Sequence, residues 1–200
     1  MKKILGATIF CISVFAHLSC DQVQSNNTDP KTLEKIAESK EQTKTEETKT
    51  DSRQATGVYP NLKTQADEMG AAFKGNDYDK FADFMYPKIV EMNGGKAKFI
   101  AKLNVSMQQM KEENGVEIVD YEVGEPSQAI EIDKQVFSVL PTKTTMKIPD
   151  KTVVEQGSVL AVSEDRGNNW KFIRVESKEK IRSSFPNVVD KLTFPETSIK

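Results

Sequence analysis

Histidine occurs once in these 200 residues, at His17, and cysteine twice, at Cys11 and Cys20. His17 and Cys11 lie inside an N-terminal stretch with the marks of an export segment, and Cys20 stands directly after it. Once residues 1–19 are removed, the chain keeps no histidine, and its one thiol is the new N-terminal Cys20. That excludes His-based acid/base work, Ser-His-Asp and Cys-His nucleophilic catalysis, zinc sites built on Cys and His, and an intramolecular disulfide. An excess of one charge is also missing. The 28 basic residues face 30 acidic ones, and removal of Lys2 and Lys3 leaves 26 against 30, a net of −4. A nucleic-acid binder would carry a clustered basic excess, so no nucleic-acid partner is expected. After the first segment, no apolar run approaches the roughly 18 residues that a bilayer span needs.

Residues 1–19 begin with Lys2 and Lys3, run apolar over positions 4–18 and end on the small Ser19. That run is too short for a stop-transfer helix and reads as a signal peptide. The sequence His17-Leu18-Ser19-Cys20 resembles the lipobox of bacterial lipoproteins, although His17 and Leu18 differ from its usual Leu and small residue. The resemblance implies cleavage between Ser19 and Cys20, acylation of Cys20 by a diacylglycerol, and an extracytoplasmic, lipid-anchored protein. The alternative is an ordinary secretory signal that leaves Cys20 unpaired. Lipidation removes the liability of a lone thiol in an oxidising compartment, and two acyl chains anchor far more firmly than one.

Residues 20–57 carry the acylated cysteine and then a polar spacer. From 21 to 57 the chain is rich in Lys, Glu, Thr, Ser, Asn and Gln and has no aromatic residue. It contains a near-repeat, Thr43-Lys44-Thr45-Glu46 and Thr48-Lys49-Thr50-Asp51. Such a stretch cannot bury enough apolar area to offset its ordering entropy. As a coil its r.m.s. reach is about 35 Å, which lets a domain stand clear of the headgroups.

Residues 58–200 have the size of a single domain. Its first half is helical in period. Asn61 is the expected cap of a helix carrying Leu62, Ala66, Met69 and Phe73. Asp77 caps a short helix with Tyr78, Phe81, Ala82 and Met85, and Pro87 sets a boundary at Tyr86. After Asn93-Gly94-Gly95, a helix over 96–113 presents Phe99, Ile100, Leu103, Met107 and Met110 and stops at Asn114-Gly115. The second half predicts strands over 116–123, 128–132, 135–147, 152–163 and 170–175, joined by short turns and so antiparallel. The class is α+β: N-terminal helices packed on one face of a curved antiparallel sheet, with the tail 177–200 across an edge.

The stretches Gly75-Asn76-Asp77-Tyr78-Asp79-Lys80-Phe81 and Trp170-Lys171-Phe172-Ile173, in this order of helices and sheet, resemble the nuclear transport factor two-like superfamily over 58–175. The first is similar to its G-D-Y break between two helices, the second to its late W-K-F strand. The resemblance implies a cone-shaped α+β fold shared by isomerases, cyclases, dehydratases, carriers and noncatalytic modules.

Three local patterns bear on chemistry. Ser163, Asp165, Gly167 and Trp170 match the S-x-D-x-G-x-x-W pattern of the Asp-box of sialidase-like propellers. One copy in so short a domain predicts a structural hairpin, while carbohydrate binding by exposed aromatics near Trp170 is a minor alternative. Asn93-Gly94-Gly95-Lys96 lacks the P-loop spacing, with Val90 and Ala97 at the deciding positions, and reads as a turn. Carboxylates and tyrosines are the remaining acid/base groups: Asp77, Asp79 and Asp83 lie near Tyr78 and Tyr86, and Asp83 with Tyr86 is the candidate catalytic pair. Tyr78, Phe81, Phe84, Met85 and Tyr86 read first as core, with Tyr78, Phe81, Met85 and Trp170 the candidates to line a pocket.

The functional expectation is a lipid-anchored noncatalytic module that binds a small apolar ligand, or that uses its open sheet face for a protein partner or a homodimer. No cofactor and no metal are expected. The alternative is a cofactor-free isomerase, cyclase or dehydratase using an Asp-Tyr set in the cone. A carboxylate deep in an apolar cone with a tyrosine in reach would favour the enzyme.

Overall fold

A computed structural model describes residues 53–54 and 59–200. The expected signal peptide, Ser19, Cys20 and most of the expected spacer lie outside the described residues. Among the residues described, no helix is long and apolar enough to cross a membrane.

Helix α1 spans Pro60–Lys74. Proline at its first position sacrifices an N–H that would have no helical partner, so the start is set by Pro60 with Tyr59 as cap. Asn61 is therefore not the cap: its Nδ2 donates to the Asn168 carbonyl at 2.8 Å and ties the helix start to a distant turn. Asn76 at φ 58 breaks the chain, and Asp77 caps α2 (Tyr78–Phe84) by accepting from the Lys80 N–H at 3.1 Å. Pro87 then opens a six-residue helix, α3 (Pro87–Met92), where the sequence reading placed only a boundary. Helix α4 covers Lys96–Asn114 and buries Phe99, Leu103 and Met110. Gly115 ends it in the left-handed region at φ 63, with the Val116 N–H returning to the Met110 carbonyl at 2.9 Å.

Among the described residues, seven strands pair antiparallel in one strongly curled sheet. They are β1 (Arg53–Gln54), β2 (Glu117–Val123), β3 (Ile130–Ile132), β4 (Gln135–Ile148), β5 (Lys151–Ser163), β6 (Lys171–Arg174) and β7 (Ser198–Ile199). The long β4–β5 hairpin is the spine, in continuous register from Val136↔Ser163 to Ile148↔Lys151. β3 and β2 pair in turn along β4, while β6 and β7 pair along β5. β1 comes from the stretch that composition assigned to the spacer. Its backbone pairs with Ile130 and Glu131, because a strand edge offers hydrogen bonds whatever side chains the incoming segment carries.

Both faces of the sheet are buried. Val136, Leu140, Val159, Ala161 and Phe172 pack under α1, α2 and α4. The alternate residues Phe137, Val139, Leu160, Val162 and Ile173 pack against Ile181, Phe185, Val188, Val189 and Leu192 of the C-terminal segment, which contains α5 (Lys178–Ser184). The tail thus covers the second face over residues 178–192 before its end pairs along β5 as β7, and over this half of the sheet both faces of the described residues are covered. The reason lies in β4 and β5 themselves, where adjacent apolar residues point to opposite sides and each side needs a cover.

Candidate ligand site

After α2 the backbone turns extended at Met85 and runs beside β6, which has β5 on its other side only. Met85 bridges to Phe172, and the Tyr86 N–H donates to the Phe172 carbonyl at 3.1 Å. Pro87 favours this extended geometry at Tyr86. The clip leaves a cavity of about 170 Å³ where α1, α2 and α3 meet the concave sheet face and α5. Met69, Phe73, Phe81 and Met85 wall it on the helical side, and Val159 and Phe172 on the sheet side. Its volume is close to that of an apolar protein cavity of about 150 Å³ that holds one benzene.

The polar part of the wall includes two residues outside the expected pocket set, Tyr121 on β2 and Arg174 at the end of β6. Tyr121 stands edge-on to Phe73 with ring centroids 5.1 Å apart. Burial pushes its hydroxyl up to about 12, and the nearby Glu155 charge adds to this, while Arg174 and Thr142 act the other way. Arg174 Nη2 donates to Glu155 Oε1 in an ion pair whose Glu155 side chain is only 14 % exposed. Glu155, whose charge acts on Tyr121, is thus itself engaged by a guanidinium. Strand alternation alone marks Tyr121, two residues before the buried Val123, as inward-facing.

Of the expected pocket residues, Phe81 and Met85 line the cavity; Tyr78 and Trp170 do not. Tyr78 is buried, donates to Asn76 Oδ1 at 2.6 Å and has its hydroxyl raised by desolvation. Trp170 is 1 % exposed, so it offers no aromatic surface to a sugar. The candidate pair Asp83 and Tyr86 finds separate partners. Asp83 is 62 % exposed and pairs with Lys96 at 2.6 Å, beside Asp79 at 3.2 Å from the same ammonium. Those bonds, Asp83 first, raise Lys96. Tyr86 does reach the cavity, but its hydroxyl lies 3.5 Å from Glu164 Oε1, and burial followed by the Glu164 charge raises it.

The S-x-D-x-G-x-x-W turn is a hydrogen-bonded knot. Ser163 Oγ donates to Asp165 Oδ1 at 2.8 Å and accepts from the Gly167 N–H at 2.8 Å. Asp165 Oδ1 also accepts from the Asn168 and Asn169 N–H groups at 3.1 and 2.8 Å, and Oδ2 from Asn169 Nδ2 at 2.6 Å. Led by the Asn169 N–H, these donors hold the Asp165 carboxyl down to about 2. Gly167, at φ 90, leaves room for Tyr59: a Cβ there would lie 2.2 Å from the Tyr59 ring. Tyr59 stacks edge-on against Trp170 with centroids 5.5 Å apart, and the Trp170 indole N–H donates to the Gly167 carbonyl at 3.1 Å. The turn is a clamp between α1 and β6.

No protein-family model, curated protein or solved structure matches this chain. Among the described residues, no three His, Cys, Asp or Glu side chains converge as metal ligands. The site is thus characterised by its own geometry: an apolar chamber lined by Tyr121 and Tyr86, with a paired Arg174 and a charged mouth.

Proposed function

We propose that this chain is a bacterial lipoprotein, anchored outside the cytoplasm through acylated Cys20, whose domain binds a small apolar ligand without transforming it. The carrying observation is the 170 Å³ cavity between helices, concave sheet and α5. A chamber with mostly apolar walls and a few polar groups suits binding, and among the described residues the carboxylate that lines it, Glu176, is paired with Lys180. Support for the nuclear transport factor two-like reading comes from the curled sheet under helices, with the Gly75-Asn76-Asp77 break between α1 and α2 and Trp170 leading into β6. The isomerase reading loses its candidate pair, because Asp83 and Tyr86 have separate partners. The test is a methyl NMR titration of the full-length chain with benzene. Shifts are expected at Met69, Met85, Val159 and Ile181 but not at Met146 and Ile148 on the far end of the hairpin. Saturating benzene without movement of the first group would sink the reading.

A further inference from the structure

We propose that the ligand is a small apolar carboxylate, inserted tail-first, with its carboxylate left at the cavity mouth beside Lys88. The inference rests on the reading of the cavity as a ligand site and names the class of ligand. Four charged residues line the chamber: Lys88, Arg174, Lys180 and Glu176. Arg174 is paired with Glu155, and Lys180 with Glu176. Lys88, in the first turn of α3, has neither an ion pair nor a side-chain hydrogen bond among the described residues. Counting Glu155 with the four, the local sum is +1 in a chain whose formal net charge is −2.

Each other ligand class fits less well. A cation would meet the unneutralised Lys88 ammonium, and a neutral apolar molecule would leave that charge without a role. A dianion would need a second free cation, and the other two are already engaged. A long acyl chain exceeds a chamber close to one aromatic ring in size. The apolar walls exclude a carboxylate from the interior, since burial of an unpaired charge is costly. At the mouth it keeps much of its water and gains Lys88. Tyr121 adds no charge at the inner wall, because its hydroxyl stays protonated over the ordinary pH range. Lys88 is exposed, so its contribution is that of a solvent-screened pair, about two- to five-fold in affinity.

Benzoate, benzamide and benzylamine share a ring and differ in charge, and titration of the full-length chain with each reads the class directly. Benzoate is expected to bind about two- to five-fold more tightly than benzamide, with benzylamine weakest. Lys88→Gln, a surface change, should bring benzoate to the level of benzamide measured on the same variant. Benzamide equal to or tighter than benzoate, or a preference for benzoate that survives Lys88→Gln, would overturn the carboxylate while leaving the apolar site intact. If none of the three binds the wild-type chain, the ligand-site reading itself falls, and this inference with it.

Discussion

Single side chains carry the strongest local commitments of this fold, and Asp165 is the clearest. Its carboxyl accepts from two backbone N–H groups, a serine hydroxyl and an asparagine amide, which holds it near 2 against an ordinary 3.8. A depressed folded value means that the stabilisation is present above the unfolded value and is lost as pH falls through the folded one. Wild type should therefore exceed Asp165→Asn in stability at pH 6. That excess, on the order of 1 kcal/mol once solvent screening of this exposed group is allowed for, should vanish between about pH 4 and pH 2. Urea midpoints of the two proteins across that range provide the measurement, and a difference independent of pH would remove the carboxylate from the account. The four-residue pattern was legible because its donors and acceptors are sequence neighbours. The separation of Asp83 from Tyr86 was not, because Lys96, which takes Asp83, comes from another helix.

At the scale of elements, the turn between β3 and β4 shows a local compromise. Asp133 and Lys134 both sit at positive φ, 51 and 68, in a two-residue hairpin of the kind that favours glycine at its second position. Lys134→Gly should raise stability by about 0.5–1 kcal/mol through relief of the Cβ crowding, read as a higher urea midpoint at unchanged slope. The C-terminal segment makes a larger claim. It covers Phe137, Val139, Leu160 and Val162, and Leu192 within it is 9 % exposed. Leu192→Ala should then cost about 2–5 kcal/mol in equilibrium unfolding, as a core truncation does. A tail lying across an edge would lose well under 1 kcal/mol. The helical stripes of α1 and α4 and the strand pattern were readable from their periods. The runs Val136-Phe137-Ser138-Val139-Leu140 and Val159-Leu160-Ala161-Val162 are apolar at both parities, a signal of double burial that the expectation of one covered face passed over. Helix α3 left no such mark, since six residues give too little period to register.

For the whole molecule, the proposal to test first is the lipid anchor at Cys20. If Cys20 is the acylated residue, feeding labelled fatty acid should mark the wild-type chain and leave Cys20→Ala unmarked, with the variant moving from the membrane fraction to the supernatant. Equal labelling of both would end the lipoprotein reading. The domain's own sequence determined its class, most of its helices and strands, and the Asp165 turn, because periodicity, capping and turn chemistry act between residues close along the chain. Within residues 58–200 composition likewise supplies neither histidine nor cysteine. Only the tertiary structure decided that the tail is a second core layer, that Arg53–Gln54 extends the sheet, and that Tyr121, Arg174 and Lys88 meet around one apolar chamber. Those residues lie on β2, β6 and α3, and their meeting depends on how a curled sheet closes against its helices. No pattern along the chain records it.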